Sequence, residues 1–182
     1  PAGRVLFGQG VSDRDYSERV AAEIDGEVTR IMTEAREAGF LPEMLFRVKD
    51  RPVHALEIAL EDEVLRNGGD VIETSADIMA KLSGKDNAQA VVGVYRDHGT
   101  ALADIDRATA PIWLVAQAMR DPGNLGTMLR TGDAVGAGGL ILIDDCTDPF
   151  SVEAVRASMG AVFTQKIVQC RWDEFISWLR AG

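Results

Sequence analysis

Histidine is nearly absent. His54 and His98 are the only two, they lie far apart in sequence, and no HExxH stretch surrounds either. That removes the helical two-histidine zinc site of metallohydrolases, and no metal is expected. Cysteine is as scarce. Cys146 and Cys170 are too few for a disulfide-stapled secreted scaffold and read as small buried hydrophobes of a reduced, intracellular protein. No apolar run approaches the roughly 18–20 residues of a membrane helix. The first residues, PAGRVLFGQG, also lack the charged-then-apolar order of a secretory signal. A cytoplasmic protein with no membrane partner is the expectation.

A surplus of positive charge is missing too. The net charge is −10, and no part of the chain is basic: 5 basic residues face 8 acidic ones in 1–40, 8 face 13 in 41–110, and 6 face 8 in 111–182. Long-range attraction to a nucleic acid is thereby excluded. Any contact with RNA must rest on a local patch or on shape.

What is present suffices for a packed core. Hydrophobic residues make up 46% of the 182 positions and charged ones 26%, the ordinary balance of one domain or two small ones. Between Tyr16 and Ala38, Val20, Ile24, Val28, Ile31 and Ala35 recur at spacings of three and four. This predicts an amphipathic helix within an N-terminal segment, 1–40, closed by Gly39 and Pro42. From residue 41 an α/β alternation begins: strands at 44–48, 70–75 and 88–95, helices at 54–69 and 76–84, then a polar linker over 96–110. A second unit, 110–182, opens with APIWLVAQAM, a strand expected to be buried on both faces. Helices at 148–160 and 172–182 and strands at 139–145 and 162–170 follow. Apolar strands alternating with helices predict a parallel sheet covered on both faces, with its site at the carboxyl ends of the strands.

One such end carries DPGNLGTMLRTGDAVGAGG, residues 121–139, with six glycines around a single arginine. Pro122 and Gly123 form a turn, Asn124 occupies an expected helix N-cap, and Gly126 permits close approach of backbone or ligand. Asn124, Thr127 and Thr131 share a polar stripe, and the adjacent Arg130 offers a planar fork of donors to a phosphate or ribose oxygen. A plain strand–turn–helix joint, with Arg130 paired to Asp133 or Asp144, explains the residues equally well. Neither a GxGxxG fingerprint nor a P-loop lysine is present. The stretch RASMGA, 156–161, places small residues for close packing and Gly160 at an expected helix C-terminus.

Taken together, Asn124, Gly126, Arg130 and Thr131, followed by the R-A-S-x-G-A element of Arg156 to Ala161, resemble the SpoU (TrmH) family of RNA ribose 2′-O-methyltransferases. The segment IMAKLSGKDNAQAVVGVY, 78–95, is similar to that family's small RNA-substrate domain, so the likeness spans about 41–182. It implies an α/β protein: a small substrate-binding α/β domain over 41–105, followed by a SPOUT-type knotted domain with a parallel sheet. It also implies S-adenosylmethionine as cofactor, ribosomal or transfer RNA as partner, and a homodimer. Arg130 and Asn124 take the catalytic positions, and Gly126, Thr131, Arg156 and Ser158 the substrate-binding ones. The family's later glycine–glutamate loop and serine-leucine-asparagine segment do not occur before Gly182, so the knot and the cofactor pocket are expected to be incomplete. A non-catalytic RNA-binding or dimerising remnant is the alternative. Residues 4–35 resemble instead the peptidase region of FtsH-type metalloproteases, without its zinc motif, which suggests a chimeric origin.

Overall fold

The structure, a computed structural model, describes residues 19–24, 26–50, 53, 55–83 and 90–181. They form two compact units, the first made of residues up to Thr29 with Phe40–Asp97, the second of Arg30–Gly39 with His98 onward.

The first unit contains β1 (Arg19–Ile24), the start of α1 (Gly26–Glu37), β2 (Met44–Val48), α2 (Ala55–Arg66), β3 (Asp70–Thr74), α3 (Ala76–Ser83) and β4 (Val91–Arg96). Its sheet runs β1-β4-β2-β3. β2 and β3 are parallel, while β4 is antiparallel to β2 and to β1. Met44, Phe46, Met79 and Val92 form its inner cluster.

The helix expected over 16–38 is corrected here. Arg19–Ile24 is a strand, in register from Arg19 on Arg96 to Ile24 on Val91, and the helix starts only at Gly26. The physical reason lies in the spacing. Val20 and Ile24 are four apart, which puts them on one face of a helix and equally on one face of a strand. The free edge of β4 decides between the two. These residues are therefore an integral edge of the α/β unit; residues 1–18 lie outside the described residues.

The second unit holds the remainder of α1, then β5 (Leu114–Gln117), α4 (Pro122–Ala134), β6 (Gly139–Ile143), α5 (Val152–Ser158), α6 (Ala161–Thr164), β7 (Lys166–Cys170) and α7 (Trp172–Arg180). Its three strands run β5-β6-β7, all parallel. Every residue of β6 is buried, as expected of the middle strand of a sheet covered on both faces. Ile141 and Ile143 join Val168, Phe175 and Ile105 in one cluster. Leu140 and Leu142 point by strand alternation to the opposite face, where α4 packs.

Three expectations change in this unit. β5 has four residues, of which only Ala116 is buried; Val115 is 44% exposed. The strand is short and half covered because it is an edge among the described strands. The stretch 96–110 is no bare linker, since it forms two 3₁₀ turns at Leu102–Asp104 and Arg107–Thr109 and buries Ile105 in the core. Arg107 lies 3.9 Å over the Trp178 ring and donates to the Leu179 carbonyl. Finally, Val162 and Phe163 belong to α6 rather than to a strand. Met159 (φ 54°) ends α5 in the left-handed region, and Gly160 (φ 98°) opens α6 instead of closing α5. A Cβ on Gly160 would lie 2.7 Å from Glu34 Cβ, so the turn needs both the torsion and the small size of glycine.

Candidate functional site

Two residues other than glycine adopt the left-handed backbone at neighbouring strand ends. Ala118 (φ 51°) follows β5, and Asp144 (φ 59°) follows β6. For alanine this conformation costs roughly 1–2 kcal/mol, and it persists only where neighbouring bonds impose it. Those bonds join the two loops. The Ala118 N–H donates to the Ile143 carbonyl at 3.1 Å, and the Thr147 N–H to the Met119 carbonyl at 2.6 Å. The Met119 N–H donates to Cys146 Sγ at 3.3 Å, and the Cys146 thiol reaches the Ile143 carbonyl at 3.4 Å.

Asp144 is the hub. Its carboxylate accepts from Gln117 Nε2 at 2.8 Å and from the Trp172 backbone N–H at 3.0 Å. One side chain thus ties the ends of β5 and β6 to the start of α7. The Gln117 amide first, then the Trp172 N–H and more weakly Arg171, hold its carboxyl below the usual carboxylate value against a small desolvation. A depressed folded-state pKa contributes stability that is fully present above the unfolded value and is lost as pH falls through the folded one. Asp144→Asn should therefore flatten the dependence of melting temperature on pH below the ordinary value of 3.8 and leave its neutral-pH slope unchanged. An identical acid limb in thermal melts of both proteins would contradict this.

The turn leads into α4. Asp121, not Asn124, caps that helix: its carboxylate accepts from the Asn124 N–H at 2.6 Å, and Pro122 occupies the first turn. Asn124 is thereby released from capping, and its side chain stands exposed. Asp121→Ala should cost about 1 kcal/mol in urea unfolding, the usual worth of an N-cap; a change below a few tenths would show that the cap does not hold this helix.

Thr127 and Thr131 donate back to the carbonyls of Gly123 and Thr127, at 2.9 and 2.8 Å, and keep to the exposed stripe shared with Asn124. Arg130 is exposed and has no hydrogen-bond or ion-pair partner among the described residues. Both acids offered as its partners are engaged elsewhere. Asp133 accepts from Thr164 and Gln165, and Asp144 from Gln117 and Trp172.

Gly126 and Ser158 receive structural work instead of a ligand-facing position. A Cβ on Gly126 would strike the Ala154 carbonyl and lie 2.6 Å from Ala157 Cβ and 2.7 Å from the Ser158 N. What approaches this glycine is the backbone of α5. Ser158 is fully buried; its hydroxyl donates to the Val155 carbonyl at 2.7 Å and accepts from the Val162 N–H at 3.4 Å. It joins α5 to α6. Arg156, on the same helix, is half-buried.

Beside Asp144 an open cavity of about 520 Å³ is lined by Asp144, Asp145, Gln169, Cys170, Arg171 and Glu174. Both cysteines are free and half-buried, less covered than expected. Burial, and then the Glu174 and Asp144 carboxylates, push the Cys170 thiol up, away from nucleophilic chemistry. Gln117, Ala118, Asp144 and Cys146 were not singled out from sequence as a set. The available signal was IDDC at the end of the most apolar strand, where parallel sheets place their sites. Among the described residues no His/Cys/Asp/Glu group is suited to a metal ion, and no helix is long and apolar enough to cross a membrane.

Residues 111–182 match the SpoU rRNA Methylase family model. The human mitochondrial rRNA methyltransferase 3 is 27% identical over 93% of this chain and 40% of its own length. A 23S rRNA guanosine 2′-O-methyltransferase of Bacillus subtilis is 38% identical over 41% of the chain and 30% of its own length. Among solved structures, an AdoMet-bound rRNA methyltransferase from Sinorhizobium meliloti superposes with a TM-score of 0.78 at 34% identity, over 92% of this chain and 60% of that one. The chain spans about two fifths of the length of the full curated relatives it matches across most of its residues. Alignment over that much of the chain brings no support for a protease-derived N-terminus.

Proposed function

Because residues 111–182 match the SpoU rRNA methylase family model, we propose that the protein takes part in methylating a ribose 2′-hydroxyl of RNA, with S-adenosylmethionine as methyl donor. The observation that carries this reading is Arg130. It is exposed and unpaired among the described residues, one position from Thr131 and on the helix whose first turn holds Asn124 and which starts at the carboxyl end of β5.

A neutral hydroxyl is a poor nucleophile and gains strength as its proton leaves. A guanidinium stays protonated, so Arg130 stabilises the negative charge developing on the 2′-oxygen rather than removing the proton. Asn124 orients the ribose or the guanidinium, and Thr131 and Arg156 contact the RNA backbone. S-adenosylmethionine contributes an electrophilic methyl group when bound. The cavity beside Asp144 does not fit that whole molecule: its three carboxylates, amide, thiol and guanidinium suit hydroxyl and ammonium groups, but its lining has no aromatic or aliphatic surface for an adenine ring.

The same reading makes the protein a cytoplasmic homodimer, which light scattering and cell fractionation check. The deciding experiment incubates the protein with tritiated S-adenosylmethionine and ribosomal or transfer RNA, then maps label to a 2′-O-methylated nucleoside. RNA binding with no label transferred would assign the protein instead as a binding remnant of such an enzyme.

A further inference from the structure

We propose that Asp144 is a positioning residue, one that sets where α4 begins by fixing the turn from Ala118 to Asp121. The inference rests on the function proposed above only for its effect on turnover. Its structural content stands on the geometry of the two loops.

The turn makes two kinds of contact across to the loop after β6. Backbone and thiol bonds join Ala118, Met119 and the 143–147 segment. The Gln117–Asp144 side-chain bond, exposed but only 2.8 Å long, joins an amide N–H to a carboxylate, and bonds to an ionised acceptor are the stronger kind. Asp144 also accepts from Trp172, and its own N–H donates to the Cys170 carbonyl at 2.9 Å. Its position is therefore imposed by β7 and α7, and it passes that constraint to the residue before Ala118. Arg120 adds a long, exposed pair to Asp145 at 3.6 Å, worth little in water. Asp121 then caps α4, so the carboxylate at the end of β6 is linked through four residues of chain to the start of the helix that carries Asn124 and Arg130.

The test uses the full-length natural protein with Asp144→Ala, and the double variant Asp144→Asn with Gln117→Glu. In the double variant the new amide donates to the new carboxylate and still accepts from Trp172, so the bond returns with donor and acceptor exchanged. Hydrogen exchange in Asp144→Ala should speed up by roughly tenfold or more at the amides of 118–125, with 139–143 unchanged. Turnover should fall by roughly 10–100-fold with KM for RNA little altered, the signature of misplaced groups. The double variant should recover both. Unchanged exchange at 118–125 overturns the proposal, as does a loss that the double variant fails to restore or that follows the melting temperature. Absence of methyl transfer in the parent protein would overturn the proposed function, while the exchange data still decide the role of Asp144.

Discussion

Arg130→Ala should lower methyl transfer by roughly 10²–10³-fold, the usual cost of deleting a donor aimed at developing negative charge. Stability should stay within about 0.5 kcal/mol, as for other exposed substitutions. Both halves follow from the same fact. The guanidinium is exposed and makes no hydrogen bond or ion pair among the described residues, so its removal leaves no buried group unpaired. Arg130→Lys keeps the charge but loses the planar fork, and should recover only part of the activity. Near-normal turnover in Arg130→Ala, measured as tritium incorporated into RNA, would remove this residue from the reaction. A collapse of the melting transition would instead make it structural.

Gly126→Ala should destabilise the second unit by about 2–3 kcal/mol, and Gly126→Val by more, in the range of overpacked cores. The atoms in the way are the α5 backbone and Ala157 Cβ, which cannot swing aside as the end of a long side chain would. α4 and α5 must separate, and Leu125, Leu129, Ala154 and Val155, all buried between and beneath them, lose close packing. Against a typical total of 5–15 kcal/mol this is a large share. Urea unfolding followed by tryptophan fluorescence reads it well, because Trp113, Trp172 and Trp178 all lie in the second unit. A midpoint equal to the parent's would mean that the two helices separate at little cost.

How far these features were legible from sequence depends on whether a residue's neighbours are local. The run GLILI is apolar at every position, and only a middle strand buries both faces, so β6 and its parallel sheet were readable. The cap of α4 is readable too, at Asp121 and not at Asn124, because Asp121 directly precedes Pro122, the arrangement that marks Pro at a helix start. At Gly126 the sequence leaves backbone and ligand open alike. Glycine signals close approach without saying what approaches, and here it is a helix more than twenty residues onward in sequence. Ser158 misled for the same reason, since its partners are the carbonyl and N–H of its own helix joint. For Arg130 the choice between ion pair and open site turned on what Asp133 and Asp144 bind, which is long-range information.

The register of β1 on β4 bears on how the chain is made. Ile24 must find Val91, with β2, α2, β3 and α3 all intervening, and loop closure over such a distance is slow. The second unit assembles from sequential neighbours, β5 to β6 to β7. On the ribosome, β1 therefore leaves the exit tunnel ahead of the other described strands of its sheet and waits without its partner until β4 emerges.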